Sequence, residues 1–381
     1  MPPTAHALLR DLVAFPVFGG DPNLGIVDYL EDHLRRFGVR PTRLYDDTGE
    51  KACLHARIGP PVDGGTILSG HTDVVPVEGQ AWTTDPFALV ERDGRLYGRG
   101  ACDMKGFLAC VLAAVPTLSA ARLTKPVYLA FSYDEEVGCV SGRLLAEAIR
   151  DGYEERPAVC IVGEPSLLRP VVGHKGIAVY EVTVRGSAGH SSRIRTEVSA
   201  VHEAARLVGW LEALMARYAE AGPHDARFEP PYTTLHVGQI RGGSAHNIVA
   251  DECRFTVDVR NLPGHTVAEI LGAFRAYAKT EERRLRERFA GASIAIATFH
   301  PTVPALSTPE DSPAVALARE LSGVSEVRTV AYASEGGQFS DAGFATVICG
   351  PGDIAQAHRA DEYIAVEQLD RGVAMLKRLA R

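Results

Sequence analysis

His71 and Asp73 stand two residues apart at the end of the apolar run Ile67-Leu68-Ser69-Gly70. On an extended segment, side chains two apart point the same way. Asp73 can therefore sit behind His71 and hold its imidazole by the second ring nitrogen, as metal-binding histidines are commonly braced. A lone His-x-Asp is equally well a strand end with a surface histidine, so the weight falls on the acids that follow. Asp103 lies between Gly98-Arg99-Gly100 and Gly106, and such glycines allow the tight turn that brings a carboxylate into a crowded site. A glycine loop before a helix can also cradle phosphate, but the Gly-Lys-Ser/Thr ending of a P-loop is absent. Asp134-Glu135-Glu136 follows an apolar run directly; three adjacent acids repel one another, and a bound cation would relieve that repulsion. Glu164 and His358 each come after a further apolar run, Ala158–Val162 and Thr346–Cys349 respectively.

Two histidines and several carboxylates form a ligand set suited to zinc, cobalt or manganese rather than copper(I) or an iron–sulfur cluster. Two ions could share Asp103, with His71 and Glu164 on one and Glu136 and His358 on the other. Glu135 is then left without a metal. A water shared by two ions about 3.5 Å apart would have its pKa lowered towards neutrality. The free carboxylate beside it could take the proton during attack on a carbonyl.

Apolar strands alternating with helices must position these residues. The pattern predicts an α/β fold, with a mostly parallel sheet covered by helices on both faces and a ligand site at the carboxyl ends of its strands. Two helices are expected between Thr4 and Phe37, broken at Phe18-Gly19-Gly20-Asp21-Pro22. A hairpin is expected through Asp93-Gly94, and a helix from Phe107 to Leu118. From about Gly176 the texture changes to strand, helix, strand, strand, helix, strand. That is a split βαββαβ, ferredoxin-like unit. The expected organisation is a catalytic domain over residues 1–175 and 303–381, interrupted by an inserted domain over 176–302.

Composition narrows the function. A hydrophobic fraction of 46% and a charged fraction of 23% are those of an ordinary globular protein, and the net charge of −8 does not suit a nucleic-acid partner. The seven cysteines form no Cys-x-x-Cys pair and read as reduced, mostly buried thiols. No apolar run reaches membrane length, and the first residues lack a basic start followed by an apolar core. A cytoplasmic enzyme of small molecules, with neither nucleic acid nor membrane as partner, is expected.

The ordered segments Gly70-His71-Thr72-Asp73-Val74-Val75-Pro76, Gly98-Arg99-Gly100 with Asp103-Met104-Lys105-Gly106, Asp134-Glu135-Glu136, Gly163-Glu164-Pro165, and Gly350-Pro351-Gly352 with Ala357-His358 carry a resemblance over nearly the whole length. The chain resembles the dinuclear zinc aminoacylase and carboxypeptidase family that includes acetylornithine deacetylases and succinyl-diaminopimelate desuccinylases. The resemblance implies that Asp73 orients His71, Asp103 bridges two metals, and Glu135 is general base and then acid. Glu136, Glu164 and His358 would complete the ligands, with zinc as the metal or cobalt in its place. It also implies that the inserted domain is a lid carrying a homodimer contact. Its His190 would stabilise the oxyanion, and Arg260 and Asn247 would hold the substrate carboxylate.

Within that family, Ser132 to Cys139, Val172 to Gly176 and the segment Gly350 to His358 look most like the acetylornithine deacetylase branch, which implies a place in arginine biosynthesis. Desuccinylases usually carry a Ser/Thr-rich segment with paired glycines where this chain has Ser334-Glu335-Gly336-Gly337. An acid there could meet the side-chain ammonium of ornithine and would repel a succinyl carboxylate. The plainer reading of Glu335 is an exposed loop acid before a flexible glycine pair. His174, Lys175, His202, His236 and His246 fit packing or lid contacts equally well. His6, His33, His224, His265 and His300 read as lying outside the site.

Overall fold

A computed structural model describes residues 2–381. The chain divides into two units, one of residues 1–173, 306–329 and 334–381, the other of residues 174–305 and 330–333. The long insertion begins and ends within three residues of the expected 176 and 302. Residues 330–333, expected in the catalytic domain, group with the second unit instead, an excursion too short to leave any periodicity in the sequence.

The first unit opens with α1 (Ala5–Val13) and α2 (Leu24–Arg36), then β1 (Thr42–Tyr45), β2 (Ala52–Ile58) and β3 (Thr66–His71). The hairpin β4 (Val90–Arg92) and β5 (Arg95–Tyr97) turns at Asp93 and Gly94, both with positive φ. After it come α3 (Lys105–Ala120), β6 (Val127–Ser132), α4 (Gly142–Gly152), β7 (Val159–Pro165) and β8 (Val171–His174).

The second unit holds β9 (Gly176–Arg185), β10 (Gly189–His190), α5 (Ala200–Ala221), β11 (Thr234–Gly242), β12 (Ile248–Val249), β13 (Glu252–Asn261), α6 (Val267–Arg286) and β14 (Ser293–Val303). Its main sheet has the antiparallel order β11-β13-β9-β14, which is the ferredoxin-like arrangement. Alternation along β9 and β13 buries Tyr180, Val182, Phe255 and Val257 with Leu207 and Leu211 of α5 and Phe274 of α6. A capping box between Thr266 and Glu269 fixes where α6 starts.

The first unit resumes with β15 (Leu306–Ser307), α7 (Pro313–Ser322), β16 (Arg328–Val330, whose last residue is grouped with the second unit), α8 (Gly336–Asp341), β17 (Ala345–Gly350), β18 (Tyr363–Ala365) and α9 (Val366–Lys377). Its large sheet runs β1-β2-β6-β3-β7-β17-β8-β15. The four central strands β6, β3, β7 and β17 are mutually parallel, while β2 and β8 flank them antiparallel. Strands buried on both faces read as unbroken apolar runs, and these do.

Side chains from neighbouring positions on β3 show the two covers. A Cβ on Gly70 would meet Met104, Phe107 and Leu108 at the start of α3, whereas Ser69 bonds to Glu335 beside α8. Helix α3 is apolar almost all round because it lies between the sheet and helices α1 and α9. Its Phe107 ring also sits over Gly163 of β7, where an added Cβ would stand 2.1 Å from the ring. Gly163→Ala is therefore expected to destabilise the protein by about 1–3 kcal/mol, read as a lowered midpoint in thermal unfolding.

Glu335 does not occupy an exposed flexible loop. Ser334, Glu335, Gly336 and Gly337 are all buried, and the glycine pair opens α8, which Phe339 anchors in the interior. All seven cysteines are buried and free. Among the described residues no helix is long and apolar enough to cross a membrane.

Candidate metal centre

The four parallel strands deliver the chemistry at their carboxyl ends. His71 is the last residue of β3, Glu164 lies near the end of β7, Glu135 and Glu136 follow β6, and His358 follows β17. Asp103 reaches the same place from the turn before α3. Its two oxygens face different histidines: Oδ1 lies 3.3 Å from His71 Nε2, and Oδ2 lies 3.4 Å from His358 Nε2. Glu164 Oε1 is 3.9 Å from His71 Nε2, and Glu136 Oε2 is 3.0 Å from His358 Nε2. One carboxylate thus stands between two His–Glu pairs, buried on the His71 side and open at His358.

Electrostatics in the cluster follow from crowding. Burial, with Asp103 next to it, pushes Glu164 well above the ordinary carboxylate range. Burial is also the main cause for Glu135, raised to about 8, with Glu136 and Asp103 adding to it and His71 opposing. Asp103 goes the other way: burial would raise it, but hydrogen bonds from His358 and His71 hold it low. Hydrogen bonds to Asp103 and Glu136 raise His358 to about 10. Buried carboxylates pushed towards protonation beside two ring nitrogens are a donor set that divalent cations satisfy. Ligand atoms of His71, Asp103 and Glu136, and of His71, Glu135 and Glu164, lie within 4.8 Å of one another.

Asp73 braces this arrangement differently from the expectation. His71 Nδ1 bonds to the Asp73 backbone carbonyl at 2.9 Å, while the nearer carboxylate oxygen is 3.6 Å away. The strand ends at His71, so the alternation assumed for the pair no longer applies. The carboxylate instead accepts the N–H groups of Glu135 and Glu136 at 3.2 and 3.1 Å, fixing the acidic turn.

The sequence reading missed a second brace. Glu362, fully buried, accepts N–H bonds from Gly100, Cys102 and Asp103 at 2.8–3.0 Å and pairs with Arg99 at 2.7 Å. Arg99 also bonds Gln80, whose amide donates to the His358 carbonyl at 3.1 Å. The turns carrying Asp103 and His358 are therefore tied to each other. An arginine between two glycines that goes into the interior needs an acid, and Glu362, four residues past His358, was the signal available.

Glu335 is 1% exposed; its Oε2 accepts from Ser69 Oγ at 3.2 Å, and Oε1 has no hydrogen bond among the described residues. Gly336 is buried beside it, its N–H bonded to Ser334 Oγ.

In the second unit, His190 and Asn247 lie on adjacent paired segments, the Asn247 carbonyl accepting from Ser191. His190 Nδ1 accepts the Ser192 N–H, which leaves Nε2 to carry the ring proton. Arg260 is engaged by Asp258, two residues back on the same face of β13, at 2.8 and 2.9 Å. His174 and Lys175 are buried. His6, His33, His224, His265 and His300 all have local partners away from the cluster.

A parallel sheet with a histidine–carboxylate cluster along its carboxyl edge suits a metal-dependent hydrolase. The sequence model of peptidase family M20/M25/M40 matches residues 67–381. An acetylornithine deacetylase from Myxococcus xanthus is 38% identical over 384 aligned residues, covering 99% of this chain and 96% of that protein. The chain belongs to peptidase family M20/M25/M40. Among solved structures, an M20 family metallo-carboxypeptidase from Sulfolobus solfataricus superposes with a TM-score of 0.74 at 18% identity, covering 98% of this chain and 97% of that one. A dinuclear metal-binding M20 peptidase from Bacillus subtilis gives 0.66 at 15%, covering 99% and 96%.

Proposed function

We propose that this hydrolase removes the acetyl group from N2-acetyl-L-ornithine, giving acetate and L-ornithine. The observation that carries the reading is the placement of Asp103 between two separate His–Glu pairs with one further acid, Glu135, beside them. His71 with Glu164, and Glu136 with His358, would hold two divalent ions across Asp103, zinc by preference and cobalt as substitute. When bound, such ions supply Lewis acidity to the scissile carbonyl and lower the pKa of water.

The chain's own residues do the rest. Glu135 takes a proton from water as the new C–O bond forms and returns it to the amine nitrogen as the C–N bond breaks. Asp73 keeps Glu135 and Glu136 in register through their backbone N–H groups. From the second unit, His190 would donate Nε2–H to the developing oxyanion, and Arg260 and Asn247 would bind the substrate carboxylate. These assignments rest on the motif resemblance, as do a homodimer through the second unit and a cytoplasmic location. Sedimentation velocity tests the first.

The choice of substrate is supported by the Myxococcus xanthus relative and by Glu335. Oε1 of this buried acid is the group we assign to the ornithine ammonium. Glu335→Gln is expected to lower kcat/KM for N-acetylornithine about tenfold while sparing a neutral N-acetyl-amino acid. Equal loss on both substrates would make Glu335 a support for Ser69 instead. The primary test is ninhydrin detection of amine released from N-acetyl-L-ornithine and from N-succinyl-diaminopimelate, before and after metal is restored. Release from the acetyl compound alone supports the proposal. Release from the succinyl compound keeps the reaction class and changes the substrate. Release from neither leaves another acyl-amino acid or a catalytically silent metal-binding protein.

A further inference from the structure

The turn after the acidic triplet contains a side chain the proposed mechanism does not use. Cys139 is 3% exposed, and its Sγ lies 3.1 Å from Glu135 Oε1. Its backbone is fixed on both sides: the N–H donates to the Glu135 carbonyl at 2.8 Å, and the carbonyl accepts from Gln338 of α8 at 2.8 Å.

The backbone conformation makes the choice of residue informative. Gly138 and Cys139 have φ of 117° and 49°, the left-handed region that glycine enters freely and cysteine does not. Gly138 follows that preference. At Cys139 the chain instead keeps a residue with a side chain, and that side chain meets the one acid left free by the metal ligands. Strained positions persist at sites where the side chain is needed. Burial, with Glu135 adjacent, holds the thiol well above its usual pKa, so it is the hydrogen-bond donor of the pair.

We propose that Cys139 is a positioning residue for Glu135, its S–H holding Oε1 so that the second carboxylate oxygen is the one presented for proton transfer. The inference rests on the reading of Glu135 as general base. Cys139→Gly removes the thiol while giving the backbone the residue its φ favours, and Cys139→Ser restores a donor.

With N-acetylornithine and metal-replete protein, Cys139→Gly is expected to lower kcat about 3- to 10-fold at unchanged KM, with no loss of thermal midpoint or metal content. Cys139→Ser should recover most of the rate. A Cys139→Gly protein with wild-type kcat overturns the proposal, and so does a rate loss that tracks lost stability and is not restored by serine. Glu135→Gln run alongside separates the two levels. If it is inactive while Cys139→Gly is fully active, only the positioning role fails. If it is active, the base assignment fails and the positioning role with it.

Discussion

Glu135→Gln is expected to keep its full complement of metal and lose about two to four orders of magnitude in kcat. Glutamine has the same shape, and the backbone N–H bond to Asp73 that fixes the turn does not involve the side chain. What the substitution removes is the ability to accept a proton. The competing assignment is specific: ligand atoms of Glu135 come within 4.8 Å of those of His71 and Glu164, so Glu135 could itself ligate a metal. Metal content measured on the purified variant decides between them. Full metal with lost rate assigns proton transfer, whereas metal lost together with rate makes Glu135 a ligand. Unchanged activity would remove the mechanism altogether.

Stripping the protein with a chelator is expected to abolish activity, and zinc or cobalt to restore it. The uptake should release at least two protons per pair of ions at pH 7, one from each histidine, with Glu164 adding to them. The sign follows from the metal-free cluster. Against its burial, His71 is raised well above its ordinary value by its hydrogen bond to Asp103 and by the Asp73 carboxylate 3.6 Å from Nδ1, and His358 is raised to about 10. Both rings therefore carry a proton at pH 7, and a ring nitrogen must lose it to become a ligand. Affinity should accordingly climb from pH 6 to pH 9 and fall in acid. Titration calorimetry in buffers of different ionisation enthalpy measures the release directly. Uptake without proton release, or affinity flat across that range, would exclude the two histidines as ligands.

The parts of this site that sequence revealed are those encoded within a few residues. Apolar runs ending in acids or histidines marked β3, β6, β7 and β17, because strands buried on both faces have no polar positions to interrupt them. The split βαββαβ order identified the second unit for the same local reason. Asp73 does stand beside His71, but its carbonyl makes the short bond while its carboxylate is 3.6 Å from Nδ1, since β3 stops at His71 and strict alternation stops with it. The plainer alternative for Glu335, an exposed loop acid, fails because the two glycines that suggest a flexible loop open a helix whose Phe339 draws the turn inward, which nothing nearby in the sequence shows. The Arg99–Glu362 pair joins residues 263 positions apart, and Cys139 matters through a backbone angle. Neither kind of information is present in periodicity.

The strand order has a bearing on how the protein is made. β17 lies between β7 and β8, yet the whole second unit is synthesised between β8 and β17. While the ribosome is still translating that insertion, the large sheet has a gap where β17 belongs, and Asp103 has neither His358 opposite it nor Glu362 to hold its turn. The second unit's main sheet, formed from a contiguous stretch, has no such wait. A nascent chain can therefore complete its ferredoxin-like unit first, and the second His–Glu pair is assembled only after residue 358 has emerged.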